Sequence, residues 1–220
     1  MPLIFAIVFH EVAHGYAASM LGDSTAADRG RLSLNPLVHV DPFGTIVLPL
    51  MLAMTHAPLF GWAKPVPVDN RRLRNPRVDG VLVALAGPLM NLFMGALAAV
   101  ALGGLVWQFG ATLGGSGASF LFRNLLNFLE INIFLAVFNL IPLPPFDGGH
   151  VVAGLLPRRL ALQYAQLERY GLLVLLALLV VLPAISPQLN VLARVVAPIA
   201  DSVEHFYLSG VNLIPVRGDD

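Results

Sequence analysis

Apolar runs separated by short polar loops make up most of this chain. The first run, Pro2 to Leu21, predicts a helix that ends at Gly22-Asp23. Asp23 to Asp41 reads as a polar loop with Arg29, Arg31 and the turn-forming Asn35-Pro36. A second run, Thr45 to Phe60, is interrupted by Pro49, His56 and Pro58. It falls short of the ~20 residues a span needs, so it predicts a short span or a re-entrant hairpin. Gly61 to Val68 alternates Pro and Val. Pro fits a sheet only at an edge, so this stretch predicts an extended edge strand. Asp69 to Asp79 is a basic loop with Arg71, Arg72, Arg74 and Arg77.

Val81 to Phe109 predicts a long apolar helix and contains Ala86-Gly87-Pro88-Leu89-Met90-Asn91. Gly110 to Ser119 is a flexible Gly/Ser turn. Phe120 to Leu140 predicts the next span and carries Glu130, Asn132 and Asn139. Ile141 to His150 is rich in Pro and Gly, and Val151 to Leu167 is mixed, with Arg158 and Arg159. Tyr170 to Ile185 predicts a further span. Pro187 to Leu208 is less apolar and reads as a tilted final helix or an interfacial one.

These elements predict an all-α polytopic membrane protein of about five to six membrane helices, with a small extended segment. One domain over residues 1–220 is expected, its core at about 1–165 and C-terminal helices over 166–208. Composition agrees: 57% of residues are hydrophobic and only 12% charged, with mean hydropathy +0.77, against about 25% charged in soluble domains. Lys+Arg and Asp+Glu both number 13, so net charge gives no hint of a nucleic-acid partner, and none is expected. The absence of Cys removes disulfides and thiolate ligands. Pro2 to Phe9 has the character of a signal-peptide core, but no small-residue cleavage site separates it from His10.

The candidate chemistry lies in the first run. His10-Glu11-Val12-Ala13-His14 reads H-E-x-x-H. On a helix, residues four apart share a face, so His10 and His14 can address one metal ion. Glu11 is offset by roughly 100°, able to reach a metal-bound water without being a ligand. With six His and four Glu in the chain, chance would produce this spacing roughly three times in a thousand. Ionisable residues in a membrane-grade segment are also costly and usually functional. Zn²⁺ suits two imidazoles, a carboxylate and an open water position.

A third protein ligand is then needed. Asp147 is the leading candidate, because it follows a Pro-rich break at the end of a span and two glycines allow close approach. Its bland alternative is an N-cap for a helix starting near Gly148. Glu130 is the other carboxylate candidate. His39, His56, His150 and His205 lack a partner at metal spacing and read as loop or packing residues.

With these residues the chain resembles the site-2 protease family of intramembrane zinc metalloproteases. The resemblance rests on His10 to His14, on Ala86-Gly87-Pro88 with Asn91, and on Asn139-Leu140-Ile141-Pro142 leading to Phe146-Asp147-Gly148-Gly149. Gly61 to Val68 is similar to the small prokaryotic members without PDZ or CBS domains. The run Thr45 to Phe60 departs from the minimal members, and the stretch before His10 is short. The resemblance implies one zinc per chain held by His10, His14 and Asp147, with Glu11 as catalytic acid/base. It also implies that Asn139 faces the active site as a substrate or oxyanion contact and that Asn91 fixes helix packing.

The expected activity is hydrolysis of a peptide bond within or near a transmembrane helix of a membrane-protein substrate. The extended segment would pair with the unwound substrate by β-augmentation. The basic loops place the active site toward the cytoplasmic side of a multi-pass protein in the cell membrane. Competing readings are a metal-binding transporter, since buried His and carboxylates also line ion paths, and an inactive scaffold of the same fold. Glu11 favours hydrolysis, because transport needs ligands but no base beside them.

Overall fold

A computed structural model describes residues 2–54, 63–110 and 116–211. Helix α1 covers Pro2–Met20 and a short α2 covers Thr25–Asp28. A 3-10 turn, Pro36–His39, and a wide helical turn, Pro42–Val47, lead into α3, Leu48–Met54. The long α4 spans Pro76–Phe109 and α5 spans Ser116–Asn139. Then come α6 (Asp147–Leu155), α7 (Arg158–Ala165), α8 (Gly171–Leu176), α9 (Leu182–Ile185) and α10 (Ala197–Gly210).

The described residues are helical or irregular, without a strand, and the chain is an all-α membrane protein. Among them three helices, α1, α4 and α5, are long and apolar enough to cross a membrane. A fourth is reached if Arg158–Tyr170 and Leu173–Ile185, bent by 68°, form one broken span. Five to six spans are therefore not reached by these criteria. The region 187–208 resolves into short turns followed by α10, which is too short to count as a span and packs along α5 and α4. Tyr207 Oη donates to the Leu92 carbonyl at 3.1 Å, and Leu208 joins a core with Ala98, Ala99, Leu102, Leu129 and Ile133. Small residues on α4 permit that approach, as is usual where helices pack in lipid.

Two elements differ from the sequence expectations, and one expectation falls outside the described residues. Helix α4 begins at Pro76, inside the expected basic loop, because Pro suits the first helical turn and Asp79 Oδ2 accepts the Asn75 backbone N–H at 2.7 Å. The first run after the polar loop is helical from Pro42 to Met54, and the question of a span or a re-entrant hairpin falls on 55–62, outside the described residues. Residues 63–69 form no strand. Pro65 and Pro67 lack N–H groups, the Lys64 N–H goes to the His39 carbonyl at 2.8 Å, and the Val66 N–H goes to Glu11 Oε2 at 2.8 Å. Residues 64–67 thus have no backbone donor left for a neighbouring strand.

The exit of α1 and the entrance of α4 meet at one end of the bundle. The Arg74 N–H donates to the Leu21 carbonyl at 3.1 Å, and the Asp69 N–H donates to Asp23 Oδ2 at 2.6 Å. Asp23 is fully buried and also accepts from the Thr25 N–H and hydroxyl. Arg77, at the start of α4, donates to the Gly154 and Leu156 carbonyls and so caps the end of α6. These ties bring the ends of α1, α4 and α6 together at one end of the bundle, beyond the H-E-x-x-H motif.

Candidate metal centre

His10 and His14 lie one turn apart on α1 and are only 6% and 9% exposed. Their partners define which ring nitrogen carries the proton. Asn91 donates through Nδ2 to the Ala6 carbonyl at 3.1 Å. A carbonyl can only accept, so this bond fixes the amide orientation and leaves Oδ1 as an acceptor. Asn91 Oδ1 lies 2.5 Å from His10 Nδ1, which therefore donates. His14 Nδ1 donates to the Val83 carbonyl at 2.7 Å by the same reasoning. Both Nε2 atoms are left with lone pairs, and they face each other 3.1 Å apart.

Asp147 adds a third lone pair. Its Oδ2 lies 3.1 Å from His10 Nε2 and 3.4 Å from His14 Nε2. That oxygen is buried and has no hydrogen-bond partner. A single proton bridges at most two of these three atoms, whereas one cation satisfies all of them. Ligands about 2.0 Å from a tetrahedral ion stand roughly 3.3 Å apart, close to the observed separations. The donor set of two imidazoles and a carboxylate therefore fits zinc.

Backbone proximity makes the convergence possible. A Cβ at Gly87 would lie 2.6 Å from His10 Cε1 and would overlap His14 Nε2, so only glycine lets α4 lie against both rings. A Cβ at Gly148 would meet the Ile141 carbonyl oxygen at 2.5 Å, and one at Gly149 would meet Pro144 N at 2.7 Å. These two glycines fold α6 back against residues 140–144 and deliver Asp147 to the histidines. Asp147 is the first residue of α6 and Phe146 is the N-cap, so the capping role considered for Asp147 is not what it does.

Glu11 lines the same cavity of about 940 Å³ as the two histidines, Asp147 and Asn139. Its Oε2 accepts the Val66 N–H, which leaves Oε1 without that restraint. Asn139 donates through Nδ2 to the Leu135 carbonyl at 3.0 Å, one turn back on its own helix. Glu130 is not in the cluster with the histidines. His39 is buried and donates to or accepts at Nε2 only with the Ser33 carbonyl, hence donates, at 2.8 Å. His150 is exposed and lines the cavity, His205 is exposed, and His56 lies outside the described residues.

Sequence reasoning assigned Asn91 to helix packing and gave Asn132 no role. Both are fully buried. Asn91 Nδ2 also donates to Asn132 Oδ1 at 2.8 Å, and Asn132 Nδ2 donates to the Phe128 carbonyl at 2.7 Å. One amide thus ties α1, α4 and α5 together and holds the His10 ring. The available signal was two amides inside membrane-grade runs, where unsatisfied polar groups are costly.

Comparison with known proteins agrees with this geometry. The profile of peptidase family M50 matches residues 115–182. The protein named "Putative zinc metalloprotease YwhC" of Bacillus subtilis is 39% identical over 180 residues, covering 82% of this chain and 78% of that protein. "Putative zinc metalloprotease Rip2" of Mycolicibacterium smegmatis is 30% identical over 191 residues, covering 85% of this chain and 66% of that protein. Its Mycobacterium tuberculosis (strain H37Rv) counterpart is 30% identical over 188 residues, with the same coverage. No solved structure matches the chain. Similarity at this level, over most of both chains for the first of these relatives, shows that the chain belongs to peptidase family M50, the site-2 protease family.

Proposed function

We propose that this protein is an intramembrane zinc metalloprotease that hydrolyses a peptide bond within or near a transmembrane helix of another membrane protein. The observation that carries the reading is the meeting of three metal-ready lone pairs, from His10, His14 and Asp147, in a cavity that Glu11 also lines. A transporter site needs ligands but no carboxylate held beside them. The names of the M50 relatives support zinc and proteolysis.

His10, His14 and Asp147 would hold the ion, which lowers the pKa of a coordinated water toward ~7 and polarises a carbonyl. Glu11 Oε1 takes the proton of the attacking water and later returns it to the leaving amide nitrogen. The Val66 N–H holds Oε2 and sets the direction in which Oε1 points. One N–H of Asn139 is engaged by Leu135, and its second would be available to the developing oxyanion. Because the carbonyls of a membrane helix are bonded within that helix, the substrate must unwind locally to expose the scissile group. Residues 64–67 do not receive it by strand pairing through their N–H groups, since none is free.

The membrane partner is the lipid bilayer itself, with the site placed toward the cytoplasmic side of the cell membrane. The decisive experiment incubates purified protein with a panel of single-span membrane substrates, with and without a zinc chelator. Chelator-sensitive cleavage inside or beside the span is the expected result. Cleavage that persists after complete metal removal would exclude this mechanism.

A further inference from the structure

Glu11 is aimed by a segment remote in sequence, and that segment is held by one buried arginine. Arg31 is 7% exposed. Its Nη1 donates to the Val38 carbonyl, and its Nη2 donates to the Lys64 carbonyl at 2.6 Å and the Pro65 carbonyl at 3.3 Å. The guanidinium thus joins two loops that share no secondary structure. The planar fork suits this task, because it presents several donors in one rigid plane.

The chain is built to place Arg31 there. Gly30 has φ +63°, its N–H donates to the Ala27 carbonyl at 2.9 Å, and the Arg31 N–H donates to the Ala26 carbonyl at 2.8 Å. That pair of bonds is the Schellman ending of α2, which turns the chain so that residue 31 heads inward. A second tie runs alongside: the Lys64 N–H donates to the His39 carbonyl at 2.8 Å. Pro65 and Pro67 stiffen the stretch between the ties. Val66 then lies against α1 at Gly15, where a Cβ would stand 2.9 Å from Val66 Cγ1. Gly15 is one turn beyond Glu11, and the Val66 N–H reaches Glu11 Oε2 at 2.8 Å.

We propose that Arg31 is a positioning residue for Glu11, acting through the carbonyls of Lys64 and Pro65 and the N–H of Val66. The role rests on the reading of Glu11 as the general base. Without the guanidinium, the Lys64 and Pro65 carbonyls lose their donor, residues 64–66 are left with the His39 tie and the packing of Val66 on α1, and the restraint that the Val66 N–H places on Glu11 loosens. The metal ligands sit on α1 and α6 and do not touch Arg31 through this route, so metal binding stays intact. A misplacement of about 1 Å is enough to cost roughly a hundredfold in rate.

The test uses the full chain in detergent with a fluorescent single-span poly-leucine peptide broken at its centre by Asn-Pro. Bound zinc, kcat, KM and amide exchange over residues 63–68 are measured for Arg31→Met, Arg31→Lys, Val66→Pro, Glu11→Gln, Glu11→Ala and, as control, Arg29→Met. Arg31→Met and Val66→Pro are expected to keep zinc, to leave KM within about twofold and to lower kcat by roughly 10- to 100-fold, within the range a general base supplies. Arg31→Lys recovers part of kcat, and Arg29→Met behaves as the parent. The Val66 amide exchanges faster in both Arg31→Met and Glu11→Ala. Val66→Pro removes the donor directly and stands in should Arg31→Met fail to fold. Unchanged kcat in Arg31→Met and Val66→Pro, alongside an inactive Glu11→Gln, overturns the proposal and leaves the base assignment standing. Parental cleavage by Glu11→Gln overturns the base assignment instead. Unchanged Val66 protection in Arg31→Met overturns the proposal whether or not the peptide is cleaved.

Discussion

His10 Nδ1 donates to Asn91 Oδ1 across 2.5 Å, although the two residues are 81 positions apart. The bond sets the tautomer that turns Nε2 toward His14 and Asp147. Partners of this kind around metal-binding imidazoles are worth about 10- to 100-fold in metal affinity. Asn91→Leu should therefore weaken zinc binding by that order, measured by competition with a chelator of known affinity. Asn91→Asp keeps an acceptor for His10 but places carboxylate oxygens against the Ala6 carbonyl and Asn132 Oδ1. It should lose stability as well as affinity. Parental affinity in Asn91→Leu would remove this residue from the metal centre.

Gly87→Ala tests the backbone approach. The added Cβ overlaps the space held by both imidazole rings. The expected outcome is loss of stoichiometric zinc with helix content retained, read by metal analysis and far-ultraviolet circular dichroism on one sample. Since Ala favours helix over Gly by about 1 kcal/mol, a fall in zinc here reflects the rings and not a weakened α4. Full zinc occupancy would mean that α4 stands further from α1.

Ligands and base should separate cleanly. His10→Ala, His14→Ala and Asp147→Ala should each lose zinc and activity together. Glu11→Gln should keep one zinc per chain and the fold but lose cleavage by at least about a hundredfold, because an amide cannot accept the proton. Retained stoichiometry in Asp147→Ala would dismiss that residue as a ligand.

Sidedness follows from the ties between loops. The Leu21 carbonyl meets the Arg74 N–H, Asp23 meets the Asp69 N–H, and Arg77 meets the end of α6. The ends of α1, α4 and α6 that carry these contacts lie together, Arg29, Arg71, Arg72 and Arg74 belong to the same loops, and Arg158 opens α7 just past the end of α6. Single cysteines at Ser33, Asn75 and Gln163 should then label only from the cytoplasm, the side that retains basic loops. The chain has no native Cys to confuse the result. Labelling of Ser33 and Asn75 from opposite faces would refute the shared end.

Asp23 gives the loop junction a pH dependence. Burial alone would raise its carboxyl pKa, but hydrogen bonds from the Thr25 side chain and from the Asp69 and Thr25 N–H groups outweigh it, with Arg72 assisting, and hold it below the ordinary value. A depressed folded-state pKa stabilises the protein above the unfolded value of about 3.9, and that contribution disappears as pH falls through the lower folded value. Thermal stability should drop on acidification below about pH 4, and Asp23→Asn should flatten this part of the profile. At neutral pH, Asp23→Ala strands the buried Thr25 N–H, at a cost of about 1–3 kcal/mol, and removes the partner of the part-buried Asp69 N–H. An identical acid profile in Asp23→Asn would deny it the role.

What the chain determined by itself was everything carried by local periodicity. The spacing of His10 and His14 is a property of one helix, so their common face was legible before any packing was known. The apolar runs of α1, α4 and α5 were legible for the same reason, because length and hydropathy are sums over neighbours. Asp147 was legible as the leading candidate for the third ligand through its Pro- and Gly-rich surroundings, while the distances that bring it to the histidines belong to the packing of α6. Tertiary structure decided which distant groups meet. Asn91 reads as a packing amide until the Ala6 carbonyl fixes its orientation and turns Oδ1 to His10. The segment 64–67 reads as an edge strand until Arg31, His39 and Glu11 are seen to occupy its carbonyls and N–H groups. Each of these roles depends on the partner that satisfies a buried polar group. That partner lies tens of residues away, where no local pattern reaches and only the packing of helices and loops selects it.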